Sequence, residues 1–285
     1  MKKIYYFFTE GMPVRNISFG HFFRSYETAK YLKKKGLKSV FIIENPKYVK
    51  KFLKIENFEI INSHQFKKKE INKNKSILIF DKFSLTNSEI RLFQDYNKIV
   101  YDDFNKYNKH KNCLKITTNL SKKKYINNVF NSHSFRLIKF LNIKEERYNI
   151  KKKNFLVFLG GSDIRNNIPK LIKLILNEKI NDQFHFSFYL GPGVNKKIIN
   201  NFKNVLFYRN NEKLLDRLIK INENIITNGG NTMFEMLMMK KKCLVFPSNK
   251  TEQKNSVFFE KKKIILTYKK KIKLKDQILS LEKFK

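Results

Sequence analysis

At 285 residues the chain is long enough for two domains of ordinary size, and its 41% hydrophobic and 14% aromatic residues exclude disorder for most of it despite a formal charge of +37. No apolar run approaches the ~20 residues that cross a bilayer, and the apolar stretch after Met-Lys-Lys is too short for a secretory signal, so the expectation is a cytoplasmic protein with no transmembrane segment. Cys113 and Cys243 stand far apart without His or Cys at metal-ligand spacing, which supports neither a disulfide framework nor a metal site.

Ile4 to Phe8 reads as a strand buried on both faces, followed by a loop holding Gly11, Pro13 and Gly20. A helix follows from about His21 to Lys35, with Phe22, Tyr26, Ala29 and Leu32 at helical spacing, and Gly36 supplies its left-handed stop. Ser39 to Ile43, Ser76 to Phe80 and Lys98 to Tyr101 continue as strands, with a helix over Ser88 to Tyr96. The polar stretch Ile143 to Asn154 is the expected linker, giving domains 1–148 and 149–285. A second series then begins: Phe155 to Leu159 as a strand, a helix with Pro169 in its first turn, and strands at Phe184 to Leu190, Asn204 to Tyr208, Asn224 to Thr227, Cys243 to Phe246 and Ile264 to Thr267. Strands alternating with helices in both halves predict two α/β domains with Rossmann-like parallel sheets.

A pI near 10 raises nucleic acid as a partner, but only eight of the 61 basic residues are Arg, Trp is absent and Ala29 is the sole alanine. That is the pattern of AT-rich codons, with lysine filling solvated positions in runs such as Lys261 to Lys263 and without Arg forks or interleaved aromatics to read bases; no specific nucleic acid is expected. The same bias makes the nine glycines informative, because those retained should mark places closed to a side chain.

Ile225 to Glu235 carries the strongest local signal: a buried strand, then Asn228-Gly229-Gly230-Asn231-Thr232 at a helix start, where free amides and the helix dipole suit a diphosphate. Glu235, the only acid in that helix, either meets ligand hydroxyls or completes a capping box with Thr232. Gly160-Gly161-Ser162-Asp163 is a second strand-to-helix glycine turn, read either as a ligand site or as a tight turn, with Asn166 or Asn167 as a candidate cap. Gly20-His21-Phe22-Phe23-Arg24 opens the first helix with an imidazole and a guanidinium on one face, and His21 there is either a general base or a polar surface residue. Asp102-Asp103 follows a strand at the carboxyl edge of the first sheet, fit for a ligand contact or for turn initiation.

Taken in order, these motifs resemble the nucleotide-sugar hydrolases of pseudaminic acid biosynthesis, which are similar to spore-coat polysaccharide proteins and more distantly to the lipid II glycosyltransferase. The family's Gly-X-Gly-His-X-X-Arg is approached by Ser18 to Arg24, its Asp-Asp by Asp102-Asp103, and its Gly-Gly-Ser-Asp by Gly160 to Asp163. Its Gly-Gly-X-Thr-X-X-Glu is matched by Gly229 to Glu235, and its late Asn-Gln is half retained as Glu252-Gln253. Ser18, Met12 and Ile164 depart from the pattern, at a glycine, an acid and a proline of the family respectively.

The resemblance implies a glycosyltransferase-B-like architecture in which the C-terminal domain holds UDP and the N-terminal domain faces the sugar. UDP would be held through Gly160, Gly161, Ser162, Gly229, Gly230, Asn231, Thr232 and Gln253, with Glu235 on the ribose. It implies sugar contacts at Gly20, Arg24, Asp102 and Asp103, and His21 as the residue that activates or orients the attacking water. No metal or cofactor is implied, and the products are UDP and a free diacetamido-trideoxy sugar. A glycosyltransferase of the same fold, and a non-catalytic protein that binds a nucleotide sugar or a polyanion, are the alternatives.

Overall fold

The computed structural model describes residues 3–12, 19–66, 71–102, 107, 113–117, 129–131, 153–161, 163, 165–191, 194, 201–209 and 212–284. Of the positions named above, Pro13, Ser18, Asp103, Ser162 and Ile164 lie outside the described residues, as does most of the expected linker, 143–152. The chain divides into two compact units, 1–141 and 142–285.

The first unit runs β1 (Ile4–Thr9), α1 (Gly20–Lys34), β2 (Lys38–Ile43), α2 (Lys50–Ile55), β3 (Glu59–Asn62), α3 (Ser63–Phe66), β4 (Ser76–Asp81), α4 (Asn87–Leu92), β5 (Asn97–Tyr101), β6 (Leu114–Thr117) and β7 (Val129–Asn131). Its strands form one parallel sheet in the order β3-β2-β1-β4-β5-β6-β7. The apolar runs are continuous because both faces are covered. Phe7, Phe41 and Ile79 pack on one face with Phe22, Tyr26 and Ala29 of α1, while Phe8, Ile42, Leu78 and Phe80 pack on the other with Phe66 and Ile90. Stacked pairs such as Phe7–Phe41 (5.3 Å) and Phe8–Phe80 (4.6 Å) add to this area burial. Gly36 stops α1 at φ 71°, with its amide on Lys33 and that of Leu37 on Leu32, the Schellman arrangement its position predicts. Helix α4 ends at Leu92 rather than Tyr96, because the buried Lys98 ammonium gathers the carbonyls of Phe93, Gln94 and Tyr96 at 2.7, 2.9 and 3.1 Å.

The second unit runs β8 (Asn154–Phe158), α5 (Asn167–Asn177), β9 (His185–Leu190), β10 (Val205–Arg209), α6 (Glu212–Ile221), β11 (Asn224–Thr227), α7 (Asn231–Met238), β12 (Lys242–Val245), α8 (Lys250–Lys261), β13 (Leu266–Thr267) and α9 (Leu274–Glu282). Its sheet, again wholly parallel, has the order β10-β9-β8-β11-β12-β13. Phe155, Val157, Phe186 and Phe188 meet Ile168, Leu171 and Ile175 of α5 and Leu274, Ile278 and Leu281 of α9 in its core. The last strand shortens to two residues because α8 closes late: Lys263 turns left-handed at φ 55° and the Ile264 amide returns to the Phe259 carbonyl at 3.0 Å. Both units are Rossmann-like, with a change of winding direction between β1 and β4 in one and between β8 and β11 in the other. Among the described residues no helix is long and apolar enough to cross a membrane.

Candidate functional site

In open α/β sheets ligands bind beyond the carboxyl ends of the strands where the winding reverses. In the first unit that point lies between Thr9 and Asp81, which are partners in the β1–β4 register. Gly11 lets α1 come down onto this edge: a Cβ there would lie 2.9 Å from both Phe22 Cβ and Val49 Cγ1. The first turns of α1 then place His21, Arg24 and Ser25 on one carboxylate. Asp81, fully buried, accepts from Arg24 Nε at 2.8 Å and Nη2 at 2.5 Å, and from Ser25 Oγ at 3.3 Å, and its Oδ1 lies 2.8 Å from His21 Nδ1. The Arg24 guanidinium also lies 4.2 Å from the centroid of the Tyr101 ring.

The cluster fixes the chemistry of the imidazole. Burial alone would raise the Asp81 carboxyl, but the Arg24 charge and the bonds from Arg24 and His21 hold it below the usual carboxylate range. An ionised Asp81 only accepts, so His21 Nδ1 carries the proton in the neutral ring and Nε2 is left as the basic nitrogen. Side-chain exposure of 20% for His21, against none for Asp81, leaves the ring reachable from solvent. Arg24 is buried with its fork on Asp81, so the guanidinium supports the carboxylate instead of standing open at the helix start. Gly20 is the first residue of α1.

Two other acids at this edge, Glu10 and Asp102, hold backbone amides. Glu10 bonds the amides of Phe83 and Ser84 and the Ser84 hydroxyl, tying the end of β1 to the loop after β4. Asp102, 3% exposed, accepts from the Tyr107 amide at 3.0 Å. Burial, with Asp102 as the next cause, pushes the Tyr107 phenol up to about 12.

In the second unit Phe158 and Thr227 are register partners at the corresponding point, and two glycine turns meet just beyond them. Gly160 has φ 85°, which excludes most side chains, and a Cβ there would lie 3.2 Å from Asn228 Nδ2 and 3.5 Å from Thr232 Oγ1. Gly161 follows it half-buried. Asp163, rather than Asn166 or Asn167, closes the next helix: its two oxygens take the amides of Asn167 and Ile168 at 2.8 and 2.7 Å. Helix α8 is likewise closed by Asn249, whose side chain accepts the Glu252 amide at 2.9 Å.

Helix α7 differs. It begins at Asn231 from Gly230, which has no side chain to cap it. Thr232 therefore lies inside the helix, buried, and the capping box with Glu235 does not form; Glu235 sits half-buried a turn further in. Gly229 is imposed by α8, since a Cβ would lie 2.6 Å from the Glu252 carbonyl and 2.8 Å from Ser256 Oγ. Gln253 is exposed on α8, and its neighbour Glu252 is the side chain turned toward the glycine turn. Sequence reasoning passed over Asp81, named Asn228 only as part of the turn, and gave Glu252 no role. A signal existed for Asp81: an acid ending an otherwise apolar strand, Ser76-Ile77-Leu78-Ile79-Phe80-Asp81, sits at the edge where such folds bind ligands.

No protein-family model matches the sequence. The chain is 24% identical over 263 residues to an uncharacterized protein of Methanocaldococcus jannaschii, covering 82% of this chain and 54% of that protein. The chain thus spans about half the length of the curated relative it matches. Among solved structures it is similar to the UDP-GlcNAc 2-epimerase of M. jannaschii, a complex with UDP-GlcNAc and UDP, with a TM-score of 0.66 at 14% identity over 99% of this chain and 93% of that one. The fold is glycosyltransferase-B-like. The glycosyltransferase SnogD of Streptomyces nogalater matches with a TM-score of 0.60 at 11% identity over 99% and 94% of the two chains. MurG of Acinetobacter baumannii matches at 0.59 and 11% over 98% and 89%.

Proposed function

We propose that the chain is a UDP-sugar hydrolase of nonulosonic acid biosynthesis, in which water attacks the anomeric carbon of a diacetamido-trideoxy-hexose nucleotide sugar and UDP departs. The observation that carries this reading is the pairing of His21 Nδ1 with buried Asp81 at 2.8 Å, which leaves Nε2 as the base at a sheet edge suited to ligands. His21 takes the proton of the attacking water, and Asp81 holds the productive tautomer and stabilises the imidazolium as it forms. Arg24 keeps Asp81 ionised and fixed, with its guanidinium against the Tyr101 ring. The second unit supplies the nucleotide site: the start of α7 at Gly230, Asn231 and Thr232 takes the diphosphate, and Glu235 takes the ribose hydroxyls. The UDP and UDP-GlcNAc of the M. jannaschii epimerase complex support a nucleotide-sugar ligand for this fold.

The second reading, transfer to a hydroxyl acceptor, is favoured by glycosyltransferases among the structural relatives, such as SnogD. Incubation with a panel of UDP-sugars, with and without acceptors, followed by NMR, separates them. UDP and free sugar formed without an acceptor is the expected result. Release of UDP only when an acceptor is present makes the protein a transferase, and no release from any donor overturns both.

A further inference from the structure

Glu252 is an acid in the wrong place for an anion site. It is the third residue of α8, but its side chain turns back from the helix: Oε2 accepts the Ser248 amide at 2.6 Å, and Oε1 lies 3.4 Å from Asn228 Nδ2. The Gly229 amide is a further donor to the carboxylate. Oε1 also lies 3.2 Å from where a Cβ on Gly230 would stand, beside the start of α7. The carboxylate thus holds the turn that leads into α7 and stands beside the amides of Gly230, Asn231 and Thr232 assigned to a diphosphate. A diphosphate and an ionised Glu252 would repel one another across the turn.

The groups packed around the carboxylate, Ser248, Asn249, Asn228 and Gly229, carry no charge. The charged side chains of the neighbouring elements are Glu235 on α7, which adds negative charge, and the exposed Lys250 and Lys254 on α8. Burial raises the Glu252 carboxyl above the usual carboxylate range, opposed in part by the bonds from Ser248 and Gly229. Among the described residues no ion pair joins Glu252 to a cation.

We propose that Glu252 occupies the glycine turn as an internal anion when no nucleotide is bound, and that the diphosphate enters with uptake of one solvent proton by Glu252. The protonated carboxyl then donates its O–H to a phosphate oxygen where the carboxylate would repel it. The inference rests on the reading of α7 as the diphosphate site, and it makes that site weaken in base.

Calorimetry of UDP-GlcNAc binding to the full chain between about pH 5 and 8, in buffers of different ionisation enthalpy, tests it, because a diphosphate esterified at both ends does not titrate there. The expected result is uptake approaching about one proton per nucleotide at the upper end, with affinity falling up to ~10-fold per pH unit above the Glu252 transition. Glu252→Gln should remove that uptake and flatten the profile. Wild-type binding without proton uptake overturns the proposal whether or not the variant folds. Equal uptake in both proteins also overturns it, and so does a variant that binds more weakly at every pH, which would make the carboxylate a direct ligand of hydroxyls. If neither protein binds the nucleotide at any pH, the diphosphate reading falls and this proposal falls with it.

Discussion

The two units have the same winding and place opposite chemistry at the same topological point. Beyond β1 and β4 the first unit buries an ion cluster, with Asp81 in the fork of Arg24 and against His21. Beyond β8 and β11 the second unit has glycine turns, a helix start without a side-chain cap, and the Glu252 carboxylate bonded to backbone amides. A buried fork holds a side chain still and tunes its proton, which suits chemistry on a substrate. Bare backbone amides leave room for a large anion, which suits binding. Similar folds can therefore divide labour through what stands at the strand ends.

If that contrast is right, damage to each unit should have a different signature. The largest effect is expected at Asp81. Asp81→Asn breaks the buried Arg24–Asp81 ion pair and should cost about 3–5 kcal/mol in denaturant unfolding. Its pH dependence has a definite sign: the folded carboxyl is lowered, so its contribution is present above the unfolded value of about 3.9 and is lost as pH falls through the folded value. The stability gap between wild type and variant should accordingly close in acid, and a gap that widens there would contradict the ion-pair account.

Next in size is His21→Asn, expected to lower turnover by ~10²-fold or more, as for loss of a general base. UDP affinity should barely change, because the nucleotide is assigned to the other unit. A variant with wild-type turnover, or one that loses UDP binding instead, would erase the proposed division.

Smaller is Glu235→Gln, expected to weaken UDP by about 1–3 kcal/mol through a lost charged hydrogen bond while melting changes little. The capping alternative predicted a melting shift, and α7 starts too early for that cap to exist. Unchanged UDP affinity in calorimetry would remove Glu235 from the site.

The smallest effect is a slope. The folded Glu252 carboxyl is raised, so its ionisation costs stability: the advantage of the neutral group is full below the unfolded value and is lost as pH rises through the folded one. Thermal melts of Glu252→Gln should gain on wild type as pH rises from about 4 to 7, the range above an unperturbed carboxylate. A constant difference would mean that burial does not control this group.

Much of the fold was legible because parallel strands covered on both faces must be apolar throughout, and Phe7-Phe8, Phe41-Ile42 and Ile225-Ile226 are. Gly36, Gly160 and Gly229 were legible as special positions because a chain with few glycines keeps them where φ is positive or a neighbour leaves no room for Cβ. β3, β6 and β7 were not foreseen, since short segments such as Glu59–Asn62 and Leu114–Thr117 mix Glu, Asn, Lys and Thr with their apolar residues.

The candidate site was legible only in part, and the division follows the range of the interactions. Local sequence was enough to mark the helix start with His21 and Arg24, and the turn at Gly229 and Gly230. Asp81 acquires its meaning from partners 57 and 60 residues away, brought to it by the β1–β4 register and the approach of α1 over Gly11. On α8 the Asn249 cap sets the helical phase, and that phase turns Glu252 inward and Gln253 to solvent, a one-residue distinction no motif spacing contains. Burial and hydrogen-bond satisfaction depend on atoms far apart in sequence, so tertiary structure alone decided which acids carry charge in the interior and which hold the backbone.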